Sequence, residues 1–283
     1  QCLNKDKKEK QEMVNIAVLG YGTVGSGVVE VIQTNQEIVN KRAGQEVNIK
    51  YVLDLREFEG DPIQKILVHD YDTILNDKDV KVVVEVMGGV EPPHTFVKQA
   101  LENGKSVCTS NKEMVAKYGA ELIQIAEDNN VNFLYEASVG GGIPIIRPLT
   151  SSLTCDDITE VSGILNGTTN YILTKMRDEG AAFADVLREA QEKGYAERNP
   201  EADIEGYDAC RKIAILTSLV CGQQVDYEDV HTEGITKITE KDFLYAKALK
   251  GSIKLLGTYQ RMDGKAYVMV APMIVSEKHP LYH

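Results

Sequence analysis

The stretch "VNIAVLGYGTVGSGVVEVIQ", residues 14–33, decides the fold. Residues 14–20 are a short apolar run bounded by glycine, the pattern of a strand buried on both faces. The segment 26–44, "SGVVEVIQTNQEIVNKRAG", places Val28, Val31, Ile32 and Ile38 near one helix face. It ends on Lys41, Arg42 and Gly44, a helix stop. Between strand and helix, "GYGTVG" (20–25) matches G-x-G-x-x-G through Gly20, Gly22 and Gly25. The pattern alone is weak, but a strand before it and a helix after it give it a mechanism. Gly20 permits the tight turn. Gly22 lets the backbone approach a pyrophosphate, and Gly25 lets the helix pack close to the sheet. Tyr21, Thr23 and Val24 complete this candidate cofactor loop, and the helix N-terminus supplies free N–H groups. The alternative is a glycine-rich turn with no ligand.

Working outward, strands are expected at 47–54, 80–86, 105–110 and 131–138, with helices at 92–104 and 113–129. Strands alternating with helices imply right-handed βαβ units and an α/β, Rossmann-type doubly wound parallel sheet. The character changes after "VGGGIPIIRPL" (139–149). Residues 151–153 begin a helix or a linker. A strand at 157–166, helices at 171–180, 183–194 and 205–222, and a strand-rich segment at 265–275 then describe a second, α+β domain. The expected division is an N-terminal extension (1–12), a dinucleotide-binding domain (13–145) and a second domain (146–283).

Composition narrows the function. The 283 residues suffice for one large or two medium domains, and 43% are apolar, as in ordinary globular chains. A net charge of −12 repels nucleic acid and anionic membrane, so neither is an expected partner. No run approaches the roughly 20 apolar residues of a membrane span. Five cysteines without a C-x-x-C pair argue for free thiols in a reducing compartment, with the cytoplasm as default. Residues 1–12 are polar and lack the apolar core of a signal peptide, so a disordered extension is expected, with Met13 a plausible start.

Several charged groups lie where chemistry could use them. Asp54 closes the second strand, where an acid accepts from the ribose hydroxyls of NAD. Arg56, two residues on, could face the 2′-phosphate of NADP, so the choice between the two stays open. "CTSNK" (108–112) puts Lys112 at the carboxyl edge of the sheet, where open α/β folds bind ligands. "EASVGGGIPII" (136–146) offers Glu136 and exposed carbonyls to a hard cation, or a flexible hinge. "ERNPEADIEGYDACRK" (197–212) sets Glu197, Glu201, Asp203 and Glu205 ahead of a helix carrying Asp208 and Lys212 at i, i+4. That spacing reads as a plain helix salt bridge or as a site. Lys212 stands just before the apolar "IAILTSLVCG", so it is expected to be half-buried, and a desolvated lysine can transfer protons.

Four motifs, in order, carry a resemblance: "TSNKEMVA" (109–116), "EASVGGGIPII" (136–146), "SGILNGTTNYIL" (162–173) and "GYAERNPEADIEGYDACRK" (194–212). Over residues 13–283 the chain resembles homoserine dehydrogenases. The resemblance implies NAD- or NADP-dependent interconversion of L-homoserine and L-aspartate 4-semialdehyde, on the route to threonine, methionine and isoleucine. It implies that Lys212 donates and accepts the proton, and that Lys112 lies near nicotinamide and substrate. Glu197 and Asp208 would accept the substrate ammonium, with Thr168 and Asp203 as further contacts. Gly194 would sit at the cofactor–substrate junction. Glu136 and the carbonyls of Val139, Gly141 and Ile143 match the family's sodium site. The second domain would bind substrate and form a homodimer.

The chain departs from the family pattern in three places. Arg198 and Asn199 stand where members often have Pro and Asp. Leu53 replaces an arginine that serves the 2′-phosphate. The sequence ends at "APMIVSEKHPLYH", short of the family's usual C-terminal part and its ACT-type regulatory domain. A truncated, nucleotide-binding dimeric fragment without turnover is therefore the alternative expectation.

Overall fold

Buried apolar strands organise the first half of the chain. In the computed structural model, which describes residues 13–282, β1 (Met13–Leu19) leads into α1 (Thr23–Thr34) and α2 (Gln36–Ala43). They are followed by β2 (Glu46–Leu53), β3 (Leu67–Val68), α3 (Tyr71–Leu75), β4 (Val80–Glu85) and α4 (Pro93–Glu102). β5 (Ser106–Thr109), α5 (Lys112–Asp128) and β6 (Phe133–Leu134) complete this part. The expectation of a disordered stretch at 1–12 lies outside the described residues.

Among the described residues this sheet has six strands in the order β3-β2-β1-β4-β5-β6, with all neighbours parallel. Ala17, Val18 and Leu19 are fully buried, as a central parallel strand covered on both faces requires. Ile16, Val18, Val29, Ile49, Val52 and Ile63 form one core cluster. Each such side chain contributes about 1.5–3 kcal/mol by leaving water. The strand order reverses between β1 and β4, and the crevice beyond their carboxyl ends is where doubly wound sheets bind ligands.

The single helix expected over 26–44 is two helices. Asn35, at φ −106° and ψ 24°, leaves the helical region between them. α1 starts earlier than expected because the glycine loop runs directly into it. Val29 is buried, but Val31 and Ile38 are more than half exposed, so they are not on the packed face. The expected strand at 131–138 shrinks to Phe133–Leu134, because Glu136–Ser138 turns as a 3₁₀ helix. The 55–79 region, unassigned from sequence, supplies β3 and α3.

The chain divides into two compact units, the first running to Met114 and over Tyr118–Ala137, the second holding Val115–Lys117 and Ser138 onward. The second unit contains β7 (Glu160–Gly163), α6 (Gly167–Glu179), α7 (Phe183–Glu192), α8 (Glu201–Ile204) and α9 (Tyr207–Cys221). β8 (His231–Thr232), α10 (Glu240–Ala248), β9 (Gly251–Met262) and β10 (Lys265–Ser276) follow. Its sheet has the order β7-β9-β10-β8 among the described residues. β9 and β10 pair antiparallel from Gly251↔Ser276 to Met262↔Lys265. Asp263 and Gly264 join them with φ 51° and 73°, the two positive values of a type I′ hairpin turn. α9 buries Ile213, Ala214, Ile215 and Leu216, which fixes where its first two turns, with Asp208 and Lys212, can lie.

Candidate active site

The three loop glycines are required for three different reasons. Gly20 has φ +95°, a left-handed value that side chains rarely adopt. A Cβ on Gly25 would lie 1.9 Å from the Gly20 carbonyl oxygen, so α1 can approach the turn only without one. Gly22 has neither reason: its φ is −86° and a Cβ there would meet nothing within 4 Å. The fold itself does not need a glycine at 22. A ligand brought against the backbone does. Gly22 caps α1 with no side-chain bond, so the helix end still presents N–H groups to an anion. A cleft of ≈ 480 Å³ opens beside it, lined by Gly20, Gly22, Asp54, Arg56, His69 and Met87 among others.

Asp54 closes β2 and faces this cleft. Its carboxylate accepts from the Tyr21 backbone N–H (2.9 Å) and from Arg56 Nε (3.0 Å) and Nη2 (2.9 Å). The Arg56 guanidinium, first among these partners, holds the Asp54 carboxyl well below the usual carboxylate range. Arg56 Nη2 also donates to the Tyr21 carbonyl (3.1 Å). Arg56 therefore lies folded onto the acid and the glycine loop. His69 reaches the same segment, its Nδ1 2.6 Å from the Asp54 carbonyl oxygen and its Nε2 2.9 Å from Glu57.

Lys112 is the first residue of α5 and half-buried. A cation there opposes the helix dipole, so helix stability does not account for it. Its position is set by a buried chain of bonds. Glu85, fully buried at the end of β4, accepts from Thr109 Oγ1 (2.6 Å) and the Met87 N–H (2.8 Å). Thr109 Oγ1 accepts from the Asn111 N–H (2.9 Å). Asn111 caps α5 by accepting from the Met114 N–H (3.1 Å), and its amide donates to the Gly89 carbonyl (2.7 Å).

The second unit gathers the other candidates. Lys212 Nζ lies 2.7 Å from Asp208 Oδ2, with side-chain exposures of 17% and 5%. It also donates to the Leu165 carbonyl (3.0 Å). The i, i+4 pair thus joins a buried acid to a half-buried lysine rather than forming a solvated helix bridge. Asn166, which sequence reasoning passed over, joins the acids: its Nδ2 donates to Asp203 Oδ1 (2.7 Å) and Asp208 Oδ2 (3.0 Å). The signal available for it was its place as an N-cap ahead of "GTTNYIL". Thr168 Oγ1 donates to the Tyr195 carbonyl (2.8 Å), tying the start of α6 to the turn at Gly194, where φ is +74°. Glu197 is exposed, as are Glu201, Arg198 and Asn199, while Asp203 and Glu205 are intermediate.

Glu136 falls in the first unit, and Val139, Gly141 and Ile143 in the second. Within 139–143 the chain turns tightly, since a Cβ on Gly140 would lie 2.5 Å from the Ile143 carbonyl oxygen. Gly141 and Ile143 are exposed and Val139 is buried. Among the described residues, no three His, Cys, Asp or Glu side chains are grouped as a metal site.

Two family models match this chain: the homoserine dehydrogenase NAD-binding domain over residues 20–136, and homoserine dehydrogenase over 144–283. The chain is 45% identical over 271 residues to the homoserine dehydrogenase of Bacillus subtilis, covering 95% of this chain and 63% of that one. The crystal structure of a homoserine dehydrogenase from Thiobacillus denitrificans matches with TM-score 0.91 and 40% identity, over 96% of this chain and 64% of that one. A hyperthermophilic archaeal homoserine dehydrogenase mutant in complex with NADPH matches with TM-score 0.79 and 28% identity, over 96% and 85%. This chain thus spans about 63% of the length of the curated relatives it matches.

Proposed function

Because the chain belongs to the homoserine dehydrogenase family, we propose that it interconverts L-homoserine and L-aspartate 4-semialdehyde with NAD or NADP. The observation that carries this reading is the largely desolvated Lys212–Asp208 pair, in a unit matched by the family's model and preceded in the chain by a nucleotide-type glycine loop. When bound, the nicotinamide supplies or takes up the hydride. The chain's own residues do the rest. Gly20–Gly25 hold the pyrophosphate, and Asp54 and Arg56 meet the adenosine end. Lys212 holds or removes the proton at the substrate's hydroxyl oxygen, kept in place by Asp208 and the Leu165 carbonyl. Asp208, Asp203 and Glu197 accept the substrate ammonium. Lys112 and Thr168 face substrate, and Gly194 lies where substrate and cofactor meet.

The remaining expectations belong to the same proposal. A sodium ion is held by Glu136 with the carbonyls of Val139, Gly141 and Ile143. Residues 13–145 bind the nucleotide, and 146–283 bind substrate and form a homodimer. The protein works in the cytoplasm. No helix among the described residues is long and apolar enough to cross a membrane.

The alternative reading is a dimeric fragment that binds nucleotide without turnover. A homoserine oxidation assay with NAD and NADP side by side, alongside cofactor titration, separates the two. Homoserine-dependent reduction of either cofactor is the expected result. Binding without turnover supports the fragment.

A further inference from the structure

We propose that Asn166 is a positioning residue for the substrate site, holding Asp203 and Asp208 together as one acceptor beside Lys212. The inference rests on the function proposed above and extends it to a residue that the sequence did not single out.

Asn166 is buried, 6% exposed, and its side chain performs two separable tasks. Its Oδ1 accepts from the Thr169 N–H (2.8 Å), the ordinary cap of α6. That bond fixes which way the amide points, because a backbone N–H must meet the oxygen. The Nδ2 group is therefore turned to the acids, and its two hydrogens go one to each: Asp203 Oδ1 at 2.7 Å and Asp208 Oδ2 at 3.0 Å. Two carboxylates in one low-dielectric place repel each other. A neutral donor between them offsets that repulsion, beside the Lys212 ammonium already paired with Asp208. The second oxygen of Asp203 is left to other partners.

The same segment holds the proton carrier. The carbonyl of Leu165, the preceding residue, accepts from Lys212 Nζ, and Asp208 Oδ2 is shared between Lys212 and Asn166. Residues 165 and 166 thus fix the lysine and both acids from one point of the backbone. Ser or Asp caps a helix about as well as Asn does. Only Asn combines that acceptor with two donors in one planar group of this size. The choice of Asn is explained by the acids and not by the helix.

The test exploits that division. Asn166→Ser keeps the cap and removes the donors. It is expected to leave the folded fraction and the cofactor affinity as in wild type, and to raise KM for homoserine about tenfold with a smaller loss in kcat. A KM within twofold of wild type, or an activity loss that only follows loss of folded protein, overturns the proposal. If the wild-type chain turns over no homoserine, the proposed function fails, and Asn166 is judged without substrate. A double-mutant cycle in thermal unfolding then pairs Asn166→Ser with Asp203→Asn. Non-additive Tm shifts support the bridge, and additive shifts overturn it.

Discussion

Two acid–base pairs, one in each unit, use the same chemistry in different solvent. Arg56 reaches back two residues to Asp54 at 2.9 Å, and Lys212 reaches back four to Asp208 at 2.7 Å. The Arg56 side chain is 61% exposed and that of Lys212 is 17% exposed. An exposed cation can exchange its carboxylate for water or a ligand at a cost of about 0–1 kcal/mol. A buried one cannot leave without stranding its acid. The first pair suits a place where a ligand must be admitted, the second a place where a proton carrier must stay put. Burial, more than distance, separates the two roles.

The largest effect should come from breaking the buried pair. Lys212→Ala is expected to lower homoserine turnover by about 10² or more. It should leave nucleotide affinity nearly unchanged, as measured by titration. Asp208 would lose its cation, and urea unfolding should show a stability loss of roughly 2–3 kcal/mol, limited by the amide of Asn166 that remains. Near-normal turnover in this variant would sink the assignment of the proton carrier.

Arg56→Ala should act on selectivity instead. With Asp54 bared, a 2′-phosphate meets an unpaired carboxylate while a ribose diol finds a ready acceptor. The ratio of NADP to NAD affinity is expected to fall about tenfold, with stability lowered only slightly. An unchanged ratio would show that Arg56 does not read the cofactor. The smallest effect concerns pH. The folded-state pKa of Asp54 is depressed, chiefly by Arg56, so its contribution to stability is complete above the unfolded value near 3.9. That contribution is lost as the pH falls from there toward the depressed value. The Tm difference between wild type and Arg56→Ala should therefore be constant above about pH 4 and fade below it. A difference that persists in acid would mean that Arg56 stabilises the chain by other contacts.

The first sheet was legible because its signals are local. A glycine loop between a buried strand and a helix states its own geometry, and β1, β2, β4 and β5 fall within a residue or two of the positions expected. What could not be read depends on distant partners. β9 was missed although it is a central strand of the second sheet. Its "GSIKLLGTYQ" carries a lysine where a core strand should be apolar, and the buried Lys254 donates to Asn170, 84 residues away, at 2.8 Å and to Thr174 at 3.4 Å. Asn166 was missed for the same reason: its acids lie 37 and 42 residues along the chain. Asp208 and Lys212, adjacent on one helix face, were visible, as was the half-burial of Lys212 before an apolar run, but the Leu165 carbonyl that receives Lys212 was not, since it comes from another segment. The break at Asn35 was hidden because apolar residues continue past it.

Lys254 has a counterpart in the first unit. Lys105 is 3% exposed and donates to the carbonyls of Asp77 (2.6 Å) and Val80 (3.1 Å). Each amine is shut away from any reagent until the structure around it opens. A brief pulse of an amine-labelling reagent, read peptide by peptide by mass spectrometry, would therefore record the opening of each unit on its own clock. The molecule carries, at positions 105 and 254, two internal reporters, one for the opening of each unit.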